Sequence, residues 1–297
     1  MVKKIITILL YVTVTNLVLS QNKLQLHVLD SETNEGIPFC DVLYGVNKGT
    51  ITNDDGTLSL NLDFYPDSIV IYNLAYETKT VKVNKSQSEY YIKLQPKKFY
   101  LNEVEVVAKR GKSIKLGIYK NKWYAGPNYE RGTNVSLFID NKNANKGYIK
   151  NLQYYMCKKN TLNPTNIFRV HIYAVDSITK GPGKELLSEN VFANAKEGDE
   201  WVVVDVLKYN IEYPPEGFFI GYEVLSNHRE DEGVLIENRY MESHNAVLAA
   251  SEEKTNQRLT WIKYPGREKW RKGTLPPTCK NCVNLNAKMA CEIIIEK

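Results

Sequence analysis

Few residues in this chain have the types and spacing that chemistry requires. Asp205 closes the run EWVVVD, and Glu223 sits inside FFIGYEV. Two carboxylates facing each other across about 5 to 10 Å are what glycoside hydrolysis uses. Both, however, sit in strand-like runs, where a turn or ladder hydrogen-bonding role is the expected one. His171 lies between Arg169 and Tyr173 in FRVHIY, on the polar side of an alternating stretch. A satisfied or solvent-facing ring is expected there. His228 and His244 occur in the loop-like phrases SNHREDEG and MESHNAV, with no HExxH helix to bring them to a metal. No GxSxG elbow is present. KGPG at 180–183 is a turn without the Lys-Ser and helix of a phosphate-binding loop. DNKNANKG, Asp140 to Gly147, is rich in oxygen but lacks calcium-loop spacing and a closing Glu. No catalytic residue, metal ligand or cofactor is therefore assigned. Trp123 with Tyr124, and Trp270 in REKWRKG, are the expected ligand-binding residues, because accessible aromatic faces beside polar groups suit glycans. Trp201, beside its valines, is expected to be buried.

The five cysteines are Cys40, Cys157, Cys279, Cys282 and Cys291. The odd number leaves at least one thiol free or paired between molecules. Cys40 is expected in a small core. The last three are read as holding a structural disulfide or as thiols, ahead of metal or redox chemistry. CKNC follows GTLPPT rather than opening a helix, so no dipole lowers its pKa. Zinc would need further ligands; Cys291 is near in sequence, and Cys157 could complete a four-thiolate set.

The elements that must position these residues alternate with period two. KLQLHVL puts Leu24, Leu26 and Val28 on one face; TLSLNL does the same with Leu58, Leu60 and Leu62; YYIKL aligns Tyr90, Ile92 and Leu94. Such alternation marks strands with one buried face. NDDG, Asn53 to Gly56, reads as a hairpin turn with Gly56 at positive φ. About seven short strands in some seventy residues require two packed sheets. After Lys112, NVSLFI, YIKNLQYYM, IFRVHIYAV, EWVVVDV, GFFIGYEVL, RLTWIKY and CEIIIE read as further strands. EWVVVDV and GFFIGYEVL look central. No helical crossovers for a parallel sheet are found. The expected fold is all-β: two β-sandwiches, a small one followed by a larger jelly-roll-like one.

The front stretch resembles the carboxypeptidase regulatory-like domain, a prealbumin-like sandwich common in exported proteins of Bacteroidota. The resemblance covers about residues 24–95. It rests on Val28 with Asp30, on Gly36, Pro38 and Val42, on Gly49, Thr52, Gly56 and Leu58, and on NLAYET with Ala75 where glycine is common. It implies scaffold residues and no nucleophile. LNEVEVV is similar to a phrase that follows this domain in TonB-dependent receptors, but the remaining chain is too short for a plug and barrel. Residues 115–297 resemble the second half of a poorly characterised family of exported proteins with the same front domain. That resemblance rests on the ordered phrases FRVHIY, GPGKELL, WVVVDVLKYNI and FFIGYE.

The opening MVKKIITILLYVTVTNLVLS has the layout of a secretory signal peptide, with cleavage expected after Ser20. Losing Lys3 and Lys4 lowers the formal charge from +5 to +3, and about 277 residues remain. That mild charge argues against nucleic acid as a partner, and no later span predicts a membrane crossing in the mature chain. The expected organisation is signal peptide 1–20, first sandwich 21–97, connector 98–114 and second sandwich 115–297. The expected role is a non-enzymatic adaptor or binding protein of the cell envelope, in the periplasm, at the outer membrane or extracellular. Its partner would be an envelope protein or a glycan. A carbohydrate-binding accessory protein is the second reading and a hydrolase the third.

Overall fold

The computed structural model describes residues 22–46, 48–62, 64–97, 111–120, 123–124, 126–127, 129–157, 166–195, 200–225, 247–252, 257–273 and 285–296. The expected signal peptide, most of the connector, Cys279, Cys282, His228 and His244 lie outside these residues. The chain divides near residue 96 into two compact units, with residues 46–50 grouped with the second. Both are built from strands, and among the described residues the one helical turn is a 3-10 turn, Leu207–Tyr209. No helix among them is long and apolar enough to cross a membrane.

Up to residue 96 the strands are β1 (Asn22–Asp30), β2 (Asp41–Gly45), β3 (Lys48–Ile51), β4 (Thr57–Leu62), β5 (Ser68–Asn73), β6 (Tyr76–Lys82) and β7 (Glu89–Leu94). One sheet runs β4-β1-β7 and the other β3-β2-β5-β6. β1 pairs antiparallel with β4 and parallel with β7. The alternating leucines Leu24, Leu26, Leu58 and Leu60 point inward, with Tyr90, Ile92 and Leu94 from β7. They meet Val42, Ile69 and Ile71 of the other sheet and the buried Cys40 in one core. NDDG joins β3 to β4, which belong to different sheets, so it is a crossing between sheets and not a hairpin. Its local chemistry is as expected, with Gly56 at φ 79°. A Cβ on Gly36 would lie 1.9 Å from the Asp55 carbonyl oxygen, so the two segments touch backbone to backbone.

The other motif residues tie the layers together. Asp30 Oδ1 accepts from the Glu32 and Thr33 N–H groups, and its Oδ2 accepts from the Tyr76 hydroxyl at 2.7 Å. That bond joins the end of β1 in one sheet to β6 in the other. Thr52 Oγ1 accepts from the Cys40 N–H and donates to the Ile37 carbonyl, holding the Gly36–Cys40 segment in place.

The second unit contains β8 (Lys112–Gly117), β9 (Trp123–Tyr124), β10 (Asn134–Ile139), β11 (Gly147–Cys157), β12 (Asn166–Val175), β13 (Pro182–Glu185), β14 (Val191–Ala195) and β15 (Glu200–Asp205). It continues with β16 (Phe218–Val224), β17 (Val247–Leu248), β18 (Ala250–Glu252), β19 (Thr260–Lys263), β20 (Arg271–Lys272), β21 (Leu285–Ala287) and β22 (Met289–Ile295). β8 starts at Lys112, three residues ahead of the expected domain start. A seven-stranded sheet runs β13-β12-β16-β10-β19-β20, with β14 also on β12. A five-stranded sheet runs β15-β11-β22-β8, with β17 also on β11. From β10 to β12, and again from β15 to β17, successive strands alternate between the two sheets. That shuttling makes the sandwich jelly-roll-like.

Between the sheets, the Tyr154 hydroxyl of β11 donates to the Gly221 carbonyl of β16 at 2.9 Å, and its ring packs edge-on against Phe168 of β12. β16 is buried along its whole length, as its dense apolar sequence implied. β15 is not central. It ends its sheet and is half-exposed, because β11 is its ladder partner and its valines alternate between inside and outside. A small sheet, β21-β18-β9, is clasped to β19 by Asn286. The Asn286 Oδ1 accepts from the Leu259 and Thr260 N–H groups and the Thr260 hydroxyl, and its Nδ2 donates to the Gln257 carbonyl.

Candidate functional site

The alternation of β12 sends Phe168, Val170 and Ile172 inward and Arg169, His171 and Tyr173 outward. The register sets Arg169 opposite Glu223 and His171 opposite Gly221 on β16. Gly221 has no side chain, so the space above it holds the His171 Cβ and the Tyr173 ring, 2.7 and 2.9 Å from where a Cβ would stand. His171 reaches across this gap. Its Nε2 lies 2.9 Å from Glu223 Oε2 and its Nδ1 lies 2.6 Å from Glu185 Oε2. Arg169 Nη1 is 3.4 Å from the same Glu223 oxygen. The other oxygen of Glu185 accepts from the N–H groups of Ile172, Leu186 and Leu187. Tyr173 stacks on the imidazole, and its hydroxyl accepts from Asn134 Nδ2 at 2.8 Å.

Burial opposes charge on His171, but the two carboxylates outweigh it and push its pKa up to about 9. The ring is therefore an imidazolium at neutral pH, with both N–H groups donated. Burial likewise opposes charge on Glu223, yet Arg169 and His171 hold its carboxyl below the usual range. His171 is hydrogen-bonded to both carboxylates, Arg169 pairs with Glu223 at 3.4 Å, and Lys263 adds to the positive field on Glu223. Both ring nitrogens of His171 are thus engaged by carboxylates within the protein. Among the described residues no cluster of His, Cys, Asp and Glu could hold a metal ion.

Asp205 and Glu223 do not meet. Asp205 is exposed on β15 of the five-stranded sheet, and its Oδ1 accepts from the Leu207 N–H in a turn. Glu223 lies in the seven-stranded sheet, and its neighbours are His171 and Arg169. Asn141 in the DNKNANKG loop is taken up within the protein, since its Nδ2 donates to the Asn145 and Pro214 carbonyls and its Oδ1 accepts from the Asn145 N–H. Cys40, Cys157 and Cys291 are buried thiols. Cys291 is fully buried in β22, and burial pushes its thiol far up.

The expected ligand-binding residues fall on different sheets. Trp270 packs edge-on against Tyr173, with the Lys263 ammonium over its ring, on the outward side of the seven-stranded sheet. Trp123, on β9, packs against Tyr155 on the outward side of the five-stranded sheet, 5.6 Å between ring centroids. Tyr124, next to it, is paired in register with Ala250. Tyr155 is in turn opposite Trp201 in register, with their rings 5.3 Å apart. Trp201 is half-exposed and not buried, because β15 is an edge. Sequence reasoning missed it, along with Tyr155. The period-two pattern of QYYM could have signalled Tyr155, since an aromatic at the polar parity of a strand must face outward.

Residues 27–106 match the family model for a CarboxypepD_reg-like domain. No curated protein and no solved structure matches the chain.

Proposed function

We propose that this chain is a non-enzymatic binding or adaptor protein of the cell envelope, exported by residues 1–20. The observation that carries this reading is the closed state of its densest ionisable group. Both nitrogens of His171 are taken by Glu185 and Glu223, whereas general acid–base catalysis needs a group free to exchange a proton with a substrate. The CarboxypepD_reg-like match supports a scaffold role for the first unit, whose motif residues hold turns and sheets together. Export, with residence in the periplasm, at the outer membrane or outside the cell, rests on the signal-like opening.

Carbohydrate binding is the second reading. It is favoured by the half-exposed rings of Trp123, Tyr155 and Trp201 grouped on one outward sheet face. The test is to present the mature chain, residues 21–297, to a glycan array and to envelope proteins, and to assay glycoside and ester hydrolysis in parallel. The expected result is specific retention without turnover. Hydrolysis that disappears in Glu223→Gln, with the fold intact, overturns the non-enzymatic reading.

A further inference from the structure

β8 stands at one end of the five-stranded sheet, with β22 as its ladder partner. Among the described residues no strand pairs with its other edge. Every second residue of an antiparallel edge strand turns its N–H and C=O away from the ladder. A row of backbone donors and acceptors therefore faces out along Lys112–Gly117. Native edges are often guarded by a lysine. The lysine in the middle of β8 does not serve that purpose. Its ammonium lies 5.0 Å from the Trp201 ring centroid and 5.1 Å from that of Tyr119, and Trp201 belongs to β15, at the opposite end of the sheet.

The core is also left partly open beside this edge. Leu116 is only half-buried, although Cys291, its register partner on β22, is fully buried. Leu116 and the next apolar residue, Ile118, line a cavity of about 220 Å³ together with Phe138, Ile139 and Leu259. That volume is below the roughly 300–1,000 Å³ of small-molecule sites, and its apolar lining suits one large side chain. A strand added to β8 continues the sheet, so every second side chain of that strand turns to the same side as Leu116, toward the cavity.

We propose that the β8 edge binds an extended segment of a partner protein, a partner class that rests on the binding reading above. The segment adds a strand to the five-stranded sheet and seats one large apolar side chain in the cavity. Backbone pairing supplies affinity and the cavity supplies selectivity, as where other peptides extend a sheet. The free row of donors and acceptors selects a strand as occupant, because a helix spends its backbone groups internally and a glycan has none at the strand repeat. β8 of a second copy is disfavoured. It brings Lys112 and Lys115 of both chains along one seam, and like charges facing across a strand pair are destabilising.

The test is isothermal titration of the mature chain with capped peptides that alternate threonine with leucine, with alanine or with aspartate, and hydrogen exchange of the complex. The expected result is binding of the leucine peptide, slower exchange of the β8 amides on binding, and affinity about tenfold lower for the alanine peptide, the loss that goes with one unfilled leucine site. The aspartate peptide does not bind. N-methylation of every second residue of the leucine peptide, which removes its ladder donors, ends binding. Leu116→Trp fills the cavity and ends the preference for leucine over alanine; if that variant unfolds, the N-methylated peptide on the unaltered chain still decides. Equal affinity for leucine and alanine peptides, unchanged binding after N-methylation, exchange that slows elsewhere and not in β8, or binding of no peptide overturns the proposal. Retention of an envelope protein or a glycan with β8 exchange unchanged overturns this edge and leaves the binding reading standing. Retention of neither removes both.

Discussion

His171 is protonated at neutral pH because two carboxylates hold its two nitrogens, and the stability of the second unit should follow that proton. Its folded pKa is raised from 6.5 to about 9. Its contribution is therefore complete below about pH 6.5 and is lost as pH climbs through 9, a loss of about 3 kcal/mol at 1.36 kcal/mol per unit. Glu223 has the opposite sign. Its lowered pKa gives stability that is present above the usual carboxylate range and is lost as the solution becomes more acidic. Urea unfolding across pH should show a maximum near pH 5 to 6.5, with an alkaline decline that flattens in His171→Gln. An unchanged decline in that variant would assign it to another group. Part of this group was legible in the sequence. Glu223 is a lone charge in an apolar strand, and such a charge needs a partner once buried. Which partner it takes depends on how β12 and β16 slide against each other, and one sequence carries no register. Asp205 was the natural candidate by strand order alone, and Glu185 gave no signal because its role is to accept backbone N–H groups in a turn.

At the level of elements, close backbone approach and hydrogen-bond hubs mark the positions least tolerant of change. Gly36→Ala places a Cβ against the Asp55 carbonyl, so the crossing between the two sheets must shift. Overpacking of this kind costs about 1–3 kcal/mol, to be read as a lower urea midpoint with an unchanged slope. Asn286→Ala leaves the Leu259 and Thr260 N–H groups and the Gln257 carbonyl to find other partners, and should cost about 3 kcal/mol. A wild-type midpoint in that variant would mean that the β19–β21 clasp adds nothing. Alternation made most strands legible, including β1, β4, β7 and β12. It failed for β15, where three successive valines suggested burial on both sides but the strand lies at an edge. It also failed for the NDDG turn, whose local geometry is that of a tight turn while its flanking strands enter different sheets. Turn chemistry is local, whereas sheet membership depends on contacts far along the chain.

Across the whole molecule, each unit closes its own core, and the residues that make the front unit recognisable are structural. Asp30, Gly36, Thr52 and Gly56 cap, approach or pin the backbone. Leu26→Ala, in the first core, should lower the stability of residues 22–96 by about 2–5 kcal/mol. Hydrogen exchange should show that loss confined to β1–β7, with β10–β16 protected as before. The sequence therefore carried the all-β class and the front domain well, and the function poorly, because binding surfaces arise from side chains that meet only after strands pair. The account depends most on His171 being a locked imidazolium and not a proton acceptor. The direct measurement is a nitrogen-15 NMR titration of its imidazole in the full mature chain. A ring that stays doubly protonated through neutral pH and titrates near pH 9 agrees with the closed cluster. A ring that is neutral at pH 7, with a pKa at or below 6.5, contradicts it and returns His171 to the set of candidate catalytic bases.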